Sequence, residues 1–336
     1  MSSNVRQNSI LIYWLSFTTR EHSPEEVKAL LGLENVIWEL GRGFHGYMQK
    51  YWYDSISIHF DGREDMGVWV EMSGQGCRAF ESDGNSDYKS LFNLILNNEN
   101  VNVTRLDVAF DEYDCSLDID RVWDDTMKQR YRSKMDYFSV ECSSNGKSLN
   151  IGSRQSDVLI RIYDKLSERL SKFKSKSEKE RIKDEIPHWI RVELQMRDDR
   201  AKEFIRHLQE RDREIGVTFR GVLKNYLEYG YWREDNDDGE KRFCCFSYWD
   251  KLLNAVEPLS IYVTPGVDYN LARCQRFVTE QSGNAIDCLM KIYGEEYTLK
   301  LIKERNVKQN PKYINLINKH QKEFEKTRKT KGNEKK

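Results

Sequence analysis

The chain of 336 residues has no excess charge of either sign: 54 Lys and Arg stand against 55 Asp and Glu, for a formal net charge of −1. Binding to nucleic acid cannot rest on overall basicity and would need a local cationic patch. No apolar run approaches the roughly 20 residues that span a bilayer. The opening MSSNVRQNS has neither the cationic nor the apolar region of a signal peptide. The seven cysteines (Cys77, Cys115, Cys142, Cys244, Cys245, Cys274 and Cys288) form no CxxC pair and no metal-finger spacing, which predicts reduced thiols in a cytoplasm. The six histidines (His22, His45, His59, His188, His207 and His320) contain no His-x-His pair. A soluble, cytoplasmic protein without a membrane partner is the expectation, long enough for two or more domains.

What is present is a repeating order of elements. Ile10–Phe17 is apolar and β-prone. Ser23-Pro24-Glu25-Glu26 supplies an N-cap, a proline at the first helical position and a capping-box glutamate, which opens a helix through Val27, Leu30 and Leu31 up to Gly32. Strands are expected at Val36–Leu40, Tyr47–Tyr53, Ile56–Phe60 and Val68–Met72. A turn at Ser73-Gly74-Gln75-Gly76 and a helix at Tyr88–Leu96 follow. The order then recurs. Val103–Phe110 is a strand and Leu117–Lys128 a helix capped near Ser116 or Asp118. Tyr137–Cys142, Ser148–Ile151, Val158–Tyr163 and Trp189–Met196 are strands, and Arg200–Leu208 a helix.

Val70-Glu71-Met72 with Arg78-Ala79 also matches Val192-Glu193-Leu194 with Arg200-Ala201 at equal spacing. These patterns predict an α+β fold: antiparallel sheets with helices on one face, as two tandem β-α-β-β-β-β-α units, followed by a helical C-terminal region. The boundaries so read are 1–100, 101–230, 231–318 and a basic, disordered tail at 319–336. Within the last parts, helices are expected near Val217–Leu227, Leu271–Gln281, Asn284–Tyr293 and Tyr297–Arg305, with YGYWREDNDDGEKRF as a loop. The charged segment between Lys165 and Asp184 reads as an exposed hairpin or mobile insertion, either a solvated helix face or a contact to a DNA backbone.

Three strands carry reactive groups on the side opposite their apolar residues. In Val103–Asp111, Leu106, Val108 and Phe110 alternate with Arg105, Asp107 and Asp111. In Trp189–Gln195, Ile190, Val192 and Leu194 alternate with Arg191, Glu193 and Gln195. In Val158–Lys165, Ile160 and Ile162 alternate with Arg161, Tyr163 and Lys165. Asp107, Asp111 and Glu193 converging on one face would make an oxygen-lined site suited to Mg²⁺ or Mn²⁺. A tyrosine beside it, between Arg161 and Lys165, could attack a phosphate, while a half-exposed sheet tyrosine is the plainer reading of that residue alone. A covalent phosphotyrosine conserves bond energy, which suits nicking and rejoining of DNA better than hydrolysis.

RLDVAFDEYD, IGSRQSDVLIRIYDK and WIRVELQMRDDRA, with YWLSFT and EMSGQGCRAFE before them, resemble the replication initiation factor family over roughly residues 10–230. That family comprises rolling-circle initiators of plasmids and related relaxases of integrative conjugative elements. The resemblance implies origin-specific nicking of one strand, a 5′-phosphotyrosyl intermediate and a free 3′-hydroxyl. Tyr163 would be the nucleophile and Asp107, Asp111 and Glu193 the metal-binding acids. Arg161, Lys165, Arg105 and Arg191 are read as phosphate or carboxylate partners. The implied partners are origin DNA, double-stranded and extruded single-stranded, a host helicase or a coupling protein, and a second copy of the chain.

The missing His-x-His pair departs from the wider class of nickases and agrees with a carboxylate site. Ser16 is expected to take the place of Asp107 in the first half, which is read as scaffold and DNA-binding surface. Its strand Tyr47–Tyr53 would either pack in the core or stack on unpaired bases. No separate helix-turn-helix domain is expected before the first strand. A non-catalytic origin-binding or regulatory protein on the same fold is the alternative.

Overall fold

A computed structural model describes residues 6–234, 241–261, 278–279, 282–304 and 317. The order of elements in the first hundred residues is β1 (Ser9–Thr19), α1 (Pro24–Leu30), β2 (Glu39–Arg42), β3 (Gln49–Tyr53), β4 (Ile56–Phe60), β5 (Val68–Met72), α2 (Gly74–Ser82) and α3 (Tyr88–Asn97). Then come β6 (Val101–Glu112), α4 (Ile119–Met127), β7 (Tyr131–Ser133), β8 (Phe138–Ser143), β9 (Gly146–Ile151) and β10 (Val158–Asp164). They are followed by α5 (Lys165–Ser171), α6 (Lys176–Glu185), β11 (Ile190–Arg197) and α7 (Asp198–Gln209). The remaining elements are α8 (Ile215–Tyr226), β12 (Leu227–Glu234), β13 (Lys241–Cys245), α9 (Ser247–Leu253), α10 (Gly283–Tyr293) and α11 (Glu295–Lys303).

Ten strands form one antiparallel sheet in the order β2-β3-β4-β5-β1-β6-β11-β10-β9-β8. Outward from the central β1–β6 pair, the two sides are built in the same sequence: first strand, fifth, fourth, third, second, with β6, β11, β10, β9 and β8 answering β1, β5, β4, β3 and β2. Alternation decides which face is buried by apolar contact. Leu15, Phe17, Ile58, Val70, Leu106, Val108, Ile160, Ile162, Val192 and Leu194 all join one core. That core is completed by Val27 of α1, Phe80 of α2, Phe92 of α3, Val122 of α4 and Phe204 of α7. Each such side chain contributes about 1.5–3 kcal/mol on burial, so the layer of helices is held on the sheet by its apolar face. The α+β architecture read from the sequence is the one observed.

Several local readings change. Ser73-Gly74-Gln75-Gly76 is the opening of α2 rather than a turn. The stretch read as a loop after residue 228 forms β12 and β13, which make a three-stranded sheet with β7, an element the sequence did not reveal. The expected 230/231 boundary falls inside β12, and one compact unit runs from Met1 to Val263. Residues 264–336 form a second unit, in which α10 and α11 are described. The helix expected at Leu271–Gln281 and the tail at 319–336 lie outside the described residues. The segment after Lys165 is a helical hairpin, anchored by buried Leu170 of α5 and Ile182 of α6. Among the described residues no helix is long and apolar enough to cross a membrane.

Candidate active site

The sheet's second face carries the polar residues of β6, β10 and β11, and it is not a solvated surface. Asp107 and Glu193 are 0 % exposed, and Asp111, Arg191 and Tyr163 are buried beside them. Charges survive such burial only when paired, and here the pairing is explicit. Arg105 grips Asp107 with two hydrogen bonds, Nε to Oδ1 at 2.9 Å and Nη2 to Oδ2 at 2.5 Å. Arg161 Nη1 donates to Glu193 Oε1 at 3.1 Å. The register sets Arg161 directly opposite Glu193 and Tyr163 opposite Arg191.

The Tyr163 hydroxyl donates to Glu193 Oε2 at 3.2 Å. Burial, and next the Glu193 charge, push its phenol above the ordinary tyrosine value, against the pull of Arg191 and Arg161. The ring is flanked by cations: the Arg161 guanidinium lies 5.2 Å from its centroid and Lys165 Nζ 5.5 Å. Burial, with Arg191 nearby, lowers the Lys165 ammonium below its usual value. Lys165 also pairs with Glu168 and lies 3.4 Å from the Tyr13 hydroxyl.

Asp107 stands opposite Gln195, and Glu193 opposite Ala109, so the two acids are diagonal neighbours across β6 and β11. Burial, and then Glu193, raise the Asp107 carboxyl to about 7 in spite of Arg105. Asp111 does not join them. Arg191 holds it with bonds of 2.6 and 2.7 Å, and Trp189 Nε1 donates to the same Oδ1 at 2.7 Å. Three donors leave Asp111 little capacity for a further ligand. Among the described residues no group of three or more His, Cys, Asp or Glu side chains is placed to hold a metal. Asp107 and Glu193 remain as adjacent acids on this face, each already bound by an arginine, with Asp111 in an ion pair alongside.

Two donors on this face have no hydrogen-bond partner although buried, Arg191 Nη1 and Gln195 Nε2. An orphaned buried donor costs about 1–3 kcal/mol, so both are places where an incoming oxygen would be stabilised. A cavity of ≈ 630 Å³ opens beside Arg191, lined by Arg6, Arg78, Lys165, Arg169, Lys172 and Arg191 against Asp111 and Glu168. A chain with no net positive charge thus concentrates cations in one hollow, and one of them, Lys165, lies 5.5 Å from the centroid of the Tyr163 ring. Tyr13 lines the same hollow with the Arg191 guanidinium 4.3 Å over its ring, and it was not singled out by sequence. A register shift in β1 between Ile12 and Trp14 takes it out of simple alternation, and that bulge has no sequence signal. The expected equivalence of Ser16 and Asp107 shifts too. Ser16 faces Glu71 as Ala109 faces Glu193, which places Ser16 in the position of Ala109.

The profile of the rolling circle replication initiation protein N-terminal domain matches residues 9–120. A putative DNA relaxase NicK of Bacillus subtilis (strain 168) is 26% identical over 265 residues, 76% of this chain and 73% of the relative. The solved structure of a rolling circle replication initiator protein from Geobacillus stearothermophilus has a TM-score of 0.64 and 27% identity, covering 76% of this chain and 99% of that one. The replication initiation factor profile matches residues 101–305, which include every strand of the site, and the chain belongs to that family.

Proposed function

We propose that the chain is a metal-dependent tyrosine nickase and strand transferase, which cuts one strand at an origin to begin rolling-circle replication or conjugative transfer. The observation that carries this reading is the buried Tyr163 hydroxyl bonded to Glu193 at 3.2 Å, with Arg161 and Lys165 flanking its ring. Its support from relatives is the rolling-circle initiator and the putative relaxase that share the fold or sequence.

In this reading Glu193 accepts the phenolic proton as Tyr163 attacks phosphorus. A bond forms between the tyrosine oxygen and the phosphate, and the bond to the strand's 3′ oxygen breaks. The departing oxygen takes a proton, for which buried Lys165 is a placed donor. Arg161, Arg191 Nη1 and Gln195 Nε2 bind the phosphate oxygens. Asp107 and Glu193 would hold a divalent ion, which when bound neutralises charge developing on the phosphate. The product is a 5′-phosphotyrosine and a free 3′-hydroxyl, and attack by another 3′-hydroxyl reverses the step and rejoins DNA.

The test is incubation with supercoiled origin plasmid and Mg²⁺ or Mn²⁺, followed by protease. The expected product is nicked DNA with a peptide-blocked 5′ end, absent for Tyr163→Phe. An adduct that persists in Tyr163→Phe rules out that nucleophile. Origin binding without any adduct in the unaltered protein would leave a non-catalytic origin-binding protein instead.

A further inference from the structure

The sheet's symmetry places a different chemistry where the first half would repeat the tyrosine site. His59 stands opposite Trp69, as Tyr163 stands opposite Arg191. Glu71 keeps the position of Glu193. The site residues around it have become aromatic: Trp69 stacks on His59 at 4.5 Å between ring centroids and 26° between planes. Tyr47 lies stacked 6.3 Å from Trp69, and His45 meets its edge at 5.5 Å. Trp69, Tyr47 and His45, but not His59, wall a cavity of ≈ 440 Å³, within the range of small-ligand sites.

Polar groups at this cavity are of complementary kinds, with Ser16, Thr18, Thr104 and Arg105 beside an acid and two N–H donors. Glu71 lines it with no hydrogen bond or ion pair among the described residues, and its carboxyl is held above the usual range by burial, against the lowering pull of Arg105. Trp14 and Arg197 also line it, and Trp14 Nε1 and Arg197 Nε are buried donors without a partner. An aromatic wall, one free carboxylate and two free N–H groups are what a flat heterocycle with adjacent donors on one edge and acceptors on another requires. Trp14 lines this cavity and the cationic hollow alike. Arg105 lies 4.2 Å over the Trp14 ring while binding Asp107. A strand whose phosphate sits near Tyr163 could thus place a neighbouring base here.

We propose that this cavity receives one unpaired base of the DNA strand and reads it as guanine. Trp69 provides the stacking face. Glu71 accepts from guanine N1–H and the N2 amine, a pair of adjacent donors that adenine, cytosine and thymine lack on that edge. The Trp14 and Arg197 N–H groups match the acceptors O6 and N7. This inference rests on the nicking reading only for its ligand, unpaired DNA, and not for the residues that bind it.

The test uses the full chain as Tyr163→Phe, so that no cleavage intervenes, and fluorescence anisotropy of labelled dT11 probes carrying one central dG, deoxyinosine or dT. The dG probe is expected to bind about tenfold or more tighter than the dT probe, with deoxyinosine, which lacks the N2 amine, between them. Glu71→Gln, which preserves shape, should remove most of that preference. Equal affinity for the three probes overturns the proposal, and so does a dG preference that Glu71→Gln leaves intact. An adduct formed by the unaltered chain with no base preference would sink this inference alone. A base preference without any adduct would sink the nicking reading alone.

Discussion

At the scale of single residues, the polar face is ordered by who neutralises whom. Glu193 is bound by both Arg161 and Tyr163, so it is at once an ion-pair partner and the hydrogen-bond acceptor of the phenol. Glu193→Gln keeps the shape and loses the charge. Nicking by this variant should fall by about a hundredfold or more, on the order of 3 kcal/mol of transition-state stabilisation, with origin binding retained. A gel assay of nicked against supercoiled plasmid reads the first, and filter binding the second. Arg191 has a different task. It is the bidentate partner of a buried aspartate, and removing it leaves Asp111 uncompensated. Arg191→Met should lower stability by about 3–5 kcal/mol, measured by urea unfolding. Replacing Asp111 by Asn in that background should restore part of the loss, which would show that Asp111 is a structural counter-ion. Asp111 was legible by type and its pairing with Arg191 was not, because alternation assigns a face and not a partner.

At the scale of elements, local signals succeeded where the backbone answers to its own sequence. Ser23 caps α1 and the Glu26 carboxylate returns to the Ser23 N–H at 2.7 Å, so the capping box read from four residues is formed. Ser23→Ala should cost about 1 kcal/mol, visible as a lowered thermal midpoint with unchanged nicking. Local signals failed where residues answer to distant neighbours. Gly74 and Gly76 look like turn residues, yet both are helical. A Cβ on Gly74 would lie 2.4 Å from the Tyr13 ring, and one on Gly76 would lie 2.3 Å from the Ser55 carbonyl oxygen. These glycines permit close packing, so their low helix propensity is outweighed by tertiary contact. β12 was hidden for a related reason: its partner β7 lies about a hundred residues earlier, pairing Glu228 with Arg132.

At the scale of the whole molecule, the β1–β6 pair joins two like-built halves into one sheet over one continuous core. Neither strand can be an edge without exposing its ladder, so the halves should unfold together. Hydrogen exchange followed by mass spectrometry in low denaturant should give β1, β5, β6 and β11 amides the same opening free energy. Earlier exchange of β1 and β5 alone would show instead two separable folding units. The pairing also sets the aromatic cavity beside the cationic hollow, with Trp14 lining both and Arg105 over its ring.

The sequence by itself determined the α+β class, the strand faces, the capped helix and the ordered appearance of Asp107, Tyr163 and Glu193. These follow from periodicity and local hydrogen bonding, which act over a few residues. Only the tertiary structure decided that the polar face is buried, that Asp111 belongs to Arg191, that Tyr13 enters the site and that Glu71 lies among rings. Those outcomes depend on strand register, on a bulge in β1 and on pairings between segments far apart in the chain. Charge partners and burial are properties of that assembly, and no short stretch of the sequence carries them.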